Sequence, residues 1–155
     1  MRNTTFILNR VHIRLMPKLS IIVWSGTTDK LYPVSILTSA AAASGWEVNL
    51  FFTFWGLLSI TKQSISQSME KVSTDYSQYA PIFSDRLKSM NFPPWWEFIK
   101  QAKELGGNNV RVYACSQTME LMKLRKEDLA DFVDDIVGAA TFLEMSSDAN
   151  VTLFI

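Results

Sequence analysis

Apolar and polar positions follow two rhythms along this chain. Leu19 to Trp24 (Leu-Ser-Ile-Ile-Val-Trp) and Trp46 to Thr53 (Trp-Glu-Val-Asn-Leu-Phe-Phe-Thr) are short, nearly continuous apolar runs, as expected of strands covered on both faces. Val110, Val112, Tyr113 and Ala114 make a third such run, and Val151 to Ile155 reads as a last strand. Helical spacing fills the intervals. Leu31 to Ser44 presents Leu31, Val34, Leu37 and the Ala40–Ala43 run as a small face that can lie close on a sheet. Pro33 is expected in its first turn, and Gly45 closes it. Trp95, Trp96, Phe98, Ile99, Ala102 and Leu105 mark a second amphipathic helix that stops at Gly106-Gly107.

The remaining segments are less regular. Ile65, Met69, Val72, Tyr76, Tyr79 and Phe83 recur at spacings of four and three, which predicts an amphipathic helical insertion over about 61–90, broken after Tyr79 by Pro81. The spacing also predicts a short helix from Ser116 to about Met122 and a surface turn at Lys126–Leu129. A short fourth strand is expected around Phe132 and Val133, and a helix over Ile136–Met145. Strand and helix alternate in the order expected of a mainly parallel sheet of about five strands with helices on both faces, a three-layer α/β sandwich. Residues 19–155 form that domain, and residues 1–18 read as a flexible basic tail.

Composition narrows the classes. The chain has 155 residues, 48% of them hydrophobic, and no net charge, which suits one packed domain and argues against nucleic-acid binding. The charge is uneven: residues 1–18 carry Arg2, Arg10, Arg14 and Lys18 with no acid, giving +4, and the rest carries −4. Phe6-Ile7-Leu8 is too short for the apolar core of a secretion signal, so a loose tail is expected, with Met16 as an alternative start. The run Leu50–Ile60 falls short of the ~20 apolar residues that a membrane crossing needs. Contact with a membrane surface stays open but is not favoured. One cysteine and one histidine, His12, exclude an internal disulfide and disfavour a zinc site, so no metal or other cofactor is expected. A reducing cytoplasm is the expected location.

Candidate chemistry gathers at one edge. Parallel strands with right-handed crossovers would place the loops Ser25–Lys30, Phe54–Gly56 and Cys115–Thr118 along the same carboxyl edge, where open α/β sheets bind ligands. The first loop offers Gly26, the Thr27 and Thr28 hydroxyls, Asp29 and Lys30. The second offers Phe54, Trp55 and Gly56, and the third offers Cys115, Ser116 and Thr118. A cysteine where a strand gives way to a helix meets unpaired N–H groups that favour the thiolate. Each residue also has a plainer explanation: Cys115 as inert core, Lys30 as a solvated charge, Trp55 as packing, Asp29 as a helix cap. No Gly-x-Ser-x-Gly elbow, Walker A loop or dinucleotide fingerprint is present.

Several of these stretches, taken in order, resemble the DsrE/DsrF-like family, closest to its peroxiredoxin-like or DsrE-like subgroup. They are Ser25-Gly26-x-x-Asp29-Lys30, the alanine-rich helix, Phe51–Gly56, Ala114-Cys115-Ser116-x-Thr118-Met119 and Gly138–Glu144. The resemblance implies a flavodoxin-like fold, homo-oligomers (trimers or hexamers), and a sulfur-carrier cysteine at Cys115. It further implies sulfane-sulfur exchange with TusA-like carriers and rhodanese-like proteins. Cys115 would then hold a persulfide or thiosulfonate, with Gly26, Asp29, Lys30, Trp55, Gly56, Ser116 and Thr118 around the substrate. Some relatives carry a second cysteine; here a two-thiol relay within one subunit is excluded, and so is a resolving cysteine for peroxidase chemistry. A non-catalytic oligomeric scaffold or small-ligand-binding module is the alternative.

Overall fold

A computed structural model describes residues 16–155. The basic tail expected over 1–18, with His12 and Phe6–Leu8, lies outside the described residues as far as residue 15, and Lys18 already opens the first strand. Five strands form one sheet: β1 (Lys18–Val23), β2 (Glu47–Phe52), β3 (Val110–Cys115), β4 (Asp135–Val137) and β5 (Val151–Phe154). All are parallel, in the order β4-β3-β2-β1-β5. From β1 to β4 the chain steps one way across the sheet, so right-handed crossovers bring α1 (Thr28–Ala43) and α4 (Trp95–Gly106) to the same face. There they touch, with the Ser39 hydroxyl donating to the Phe98 carbonyl at 3.1 Å. The return from β4 to β5 puts α6 (Ala139–Met145) on the other face, where Phe142 stacks on Phe51 with ring centroids 4.6 Å apart. This is the three-layer, flavodoxin-like α/β arrangement that the sequence predicts. Among the described residues no helix is long and apolar enough to cross a membrane.

The two faces of the sheet differ. Leu19, Ile21 and Val23 of β1, Val48, Leu50 and Phe52 of β2, and Val110, Val112 and Ala114 of β3 alternate onto the α1/α4 side, and all are buried. On the α6 side the register sets Ser20, Asn49 and Arg111 in one polar row. Asn49 is buried and donates to Glu47 Oε1 at 3.0 Å. Arg111 pairs with Asp134 at 3.2 Å, and that carboxylate also accepts from Lys103 Nζ and from the Val112 N–H at 2.7 Å.

Asp134 also moves the fourth strand. Its own N–H donates to the Val112 carbonyl at 2.8 Å, aligning the chain so that pairing begins at Asp135. The strand therefore lies after Phe132 and Val133, which form the turn before it. Phe132 owes its burial to that turn. Ile136 and Val137 pair in β4, and the helix expected from Ile136 begins only at Ala139.

The first helix also starts earlier than the apolar spacing suggests. Thr27 is its extended N-cap, and the Thr27 carbonyl receives the N–H groups of Lys30 (3.0 Å) and Leu31 (2.9 Å). Pro33 consequently falls in the second turn, where its ring forfeits the bond to the Asp29 carbonyl. Phe54–Gly56 is not an exit loop but the start of a short helix, α2 (Phe54–Ser59).

The segment expected as one amphipathic stripe is two 3-10 turns, Ser66–Glu70 and Thr74–Tyr79, followed by α3 (Ala80–Ser89). Pro81 sits in the first turn of α3 and starts a helix rather than breaking one. Serine explains the difference, because Ser68 turns its hydroxyl onto the Ile65 carbonyl (2.6 Å) and competes with regular helix bonding. Tyr76 and Tyr79 are exposed, whereas Ile65, Met69 and Phe83 pack on the core. The segment is tied to α1 and α4 by polar bonds. Trp95, fully buried, donates its indole N–H to Ser68 Oγ at 2.8 Å, the Thr28 hydroxyl donates to the Ser68 carbonyl, and the Thr28 N–H reaches Lys71 O at 2.6 Å.

Trp95→Ala should cost about 3–5 kcal/mol in unfolding free energy, because it removes both the ring and the anchor of the insertion. Gly56→Ala should cost about 1–3 kcal/mol, since the added methyl would overlap the Val23 carbonyl oxygen, which is backbone and cannot step aside. Urea titrations followed by tryptophan emission measure both; a Gly56→Ala chain as stable as the parent would contradict the close approach.

Candidate functional site

Cys115 is the last residue of β3, and α5 (Ser116–Leu121) begins at the next residue. The register that pairs Phe52 with Ala114 brings Thr53 alongside Cys115 one step further on. Thr53 Oγ1 lies 3.1 Å from Thr118 Oγ1, and the Phe54 N–H donates to Thr118 Oγ1 at 3.2 Å. The thiol itself donates to Gln117 Oε1 at 3.6 Å. Cys115 is 5% exposed, yet its immediate partners are hydroxyls and amides. Burial pushes the thiol up. The hydroxyl and N–H of Thr118, the Thr53 hydroxyl and the Gln117 N–H outweigh it and hold the group below the ordinary thiol range.

Phe54 pins the second loop to this cluster at a local cost. Its φ is +46°, a left-handed backbone that a bulky side chain rarely adopts. In exchange its N–H reaches Thr118, and its ring meets Trp55 edge-on with centroids 6.5 Å apart.

The three loops do share the carboxyl edge of the sheet, but they divide between two places. Cys115 and Thr118 sit in the polar cluster. Gly26 and Trp55 instead line a separate cavity of about 620 Å³, bounded by the β1 exit, α2 and the 64–75 segment; Cys115 is not part of its wall. Gly26 and Gly56 are needed where one loop crosses the other. A methyl at Gly26 would overlap the Trp55 carbonyl, one at Gly56 the Val23 carbonyl, and the Gly56 N–H donates to Trp24 O at 2.7 Å. Asp29 accepts from the Ser73 N–H (2.9 Å) and hydroxyl (2.6 Å) rather than capping its own helix. Burial raises its pKa, but the Ser73 bonds, with the Thr27 hydroxyl, prevail and lower it. Lys30 is exposed on α1 and lines no part of the cavity. Ser116 Oγ faces Gly138, 3.8 Å from where a Cβ would stand.

Two residues beside the sulfur escape sequence reasoning. Thr53 was within reach, since pairing β2 with β3 in register sets it next to Cys115. Gln117 was not, because nothing in the pattern distinguishes which side of a short helix turns toward the thiol.

Comparison with known proteins bears on the family and the fold. The DsrE/DsrF/DrsH-like family model matches residues 16–92 and 76–154. The chain is 29% identical to the uncharacterized protein YrkE of Bacillus subtilis, over 88% of this chain and 95% of the relative. It is also 29% identical to the sulfur carrier protein DsrE2 of Allochromatium vinosum, over 89% of this chain and 98% of that one. Among solved structures, the ychN protein of E. coli superposes with a TM-score of 0.58 at 15% identity, covering 90% of this chain and all (100%) of that one. MTH1491 of Methanobacterium thermoautotrophicum, a protein of unknown function, gives 0.57 at 13%, covering 90% and 99%. These two share the fold. With the family pattern spanning nearly every described residue, the chain belongs to the DsrE/DsrF/DrsH-like family.

Proposed function

We propose that this protein is a sulfur carrier in a relay, holding sulfane sulfur on Cys115 and passing it to a partner protein thiol. The observation that carries the reading is a lone thiol set among hydrogen-bond donors at the end of β3, with its pKa lowered. Similarity to a sulfur carrier over most of both chains supports it. In the loading step the Cys115 thiolate attacks the outer sulfur of a persulfide. A new S–S bond forms on Cys115, and the donor leaves with the electron pair of the broken bond as a thiolate. Delivery is the same exchange in reverse roles: a partner thiolate takes the outer sulfur and Cys115 departs as thiolate. No external oxidant is consumed. Thr118, Thr53 and the Gln117 and Thr118 N–H groups stabilise the anion at each stage. Lys30, exposed on α1, stays outside this set.

TusA-like carriers and rhodanese-like proteins are the partners this reading assigns. With one thiol per chain, every transfer has to be between molecules. Trimers or hexamers of this chain fit the thin cover on the α6 side, where Phe154 and Leu143 are two-thirds exposed (66% and 64%). A reducing cytoplasm suits the free thiol.

Incubation with thiosulfate, tetrathionate or polysulfide should add sulfur to the intact mass, and Cys115→Ser should abolish the adduct. Absence of any adduct on the parent chain, under conditions that load a known carrier, would defeat the proposal. Alkylation by iodoacetamide should show a rate inflection at lower pH than a free thiol. Thr118→Val, which deletes one donor to the thiolate, should move that inflection upward and slow the reaction at neutral pH by about tenfold. An unchanged profile would mean that the hydroxyl does not stabilise the anion.

A further inference from the structure

The cavity beside α2 is unused by the chemistry of Cys115, and its wall has a definite polarity. At about 620 Å³ it is in the size range of small-molecule sites, and two indoles, Trp24 and Trp55, line it while remaining about half exposed (43% and 52%). Its hydroxyls could in principle donate or accept. For four of them the bonds set the direction, because each hydroxyl has only one proton.

Ser73 donates to the Asp29 carboxylate at 2.6 Å, so its oxygen can only accept from elsewhere. Thr27 Oγ1, 3.4 Å from Ser73 Oγ, turns its proton toward the same Ser73–Asp29 pair, so it is committed too. Ser25 Oγ, 3.0 Å from Thr27 Oγ1, must donate in turn. Ser59 donates to the Gly56 carbonyl at 2.6 Å. Four wall hydroxyls therefore turn their protons into the protein and offer lone pairs to whatever enters. Indole faces are electron-rich as well. Two opposite charges, Lys71 and Asp75, line the cavity and offset one another, and both side chains are exposed.

We propose that this cavity binds a small organic ammonium compound with an apolar body. The N–H groups of the ligand meet the oxygens of Ser25, Thr27, Ser59 and Ser73, and its body lies on Trp24 and Trp55. At these four oxygens a carboxylate or phosphate would find acceptors where it needs donors; the donors on the wall are Lys71, the Ser64 and Thr74 hydroxyls and the indole N–H edges of Trp24 and Trp55. The site is independent of sulfur transfer, since Cys115 does not line it.

Titration calorimetry and tryptophan emission with phenethylamine, cationic at neutral pH, test this against 3-phenylpropionate, which has a similar skeleton with a carboxylate. The amine should bind saturably and the carboxylate at least tenfold more weakly. Trp55→Ala and Thr27→Val should each weaken the amine about tenfold, and Thr27→Val should still load sulfur on Cys115 like the parent. Thr27→Val keeps the shape of the side chain, so it serves if Trp55→Ala fails to fold. Equal or tighter binding of the carboxylate would overturn the proposal. So would no amine binding at concentrations of about 10 mM, or amine binding unaffected in the folded variants.

Discussion

The crossing of two backbones, Gly56 against Val23 and Gly26 against Trp55, is the contact on which the carboxyl edge of the sheet depends. No side chain fits at either point, and the Gly56 N–H bonds to the Trp24 carbonyl at 2.7 Å. That bond seats α2 on the end of β1 and so determines where Thr53 and Phe54 fall. Thr53 and Phe54 in turn reach Thr118, and the Thr53–Thr118 pair flanks the sulfur. A backbone contact two strands away from Cys115 thus governs the electrostatics of the thiol. The same crossing forms one wall of the cavity that holds Trp24 and Trp55. One joint therefore serves two neighbouring places that have different chemistry.

The asymmetry of the sheet follows from its topology. Successive crossovers in one direction stack α1 and α4 on one side, and their contacts generate most of the buried core. Only α6 returns along the other side. The alternation along β1, β2 and β3 reflects this, with uninterrupted apolar side chains toward α1 and α4 and the row Ser20, Asn49 and Arg111 opposite. Arg111 is tolerated in a central strand because Asp134 arrives from the neighbouring turn, already bonded to Lys103 and to the Val112 N–H. Partly buried, that carboxylate has both oxygens hydrogen-bonded, one to Arg111 and the other to Lys103 and the Val112 N–H.

Much of the architecture was legible from the chain alone. The apolar runs at β1, β2, β3 and β5 are short and bounded by turn residues, so their parallel pairing followed from the alternation with helices. Cys115 at the end of β3 was equally plain. What failed did so for local reasons. Phe132 and Val133 resemble a strand by hydrophobicity, but Asp134, through its N–H and carboxylate, sets the pairing to begin at Asp135. Thr27 and Thr28 start α1 three residues before its first large apolar side chain. The stripe from Ile65 to Phe83 has helical spacing, yet it forms two 3-10 turns before α3, and in the first Ser68 bonds back to the Ile65 carbonyl. The loops Ser25–Lys30 and Cys115–Thr118 share an edge but not a cavity, because which face of the sheet a residue leaves from depends on register, and register is not written in any single segment.

Phe54 has a mechanical consequence. Its left-handed backbone, φ +46°, carries strain of about 1–3 kcal/mol, retained because the surrounding bonds leave it no alternative. Straightening that residue is locally downhill, whereas disturbing the adjoining β2 ladder is uphill. That strain sits where β2 gives way to α2, next to the Thr53 that flanks the sulfur.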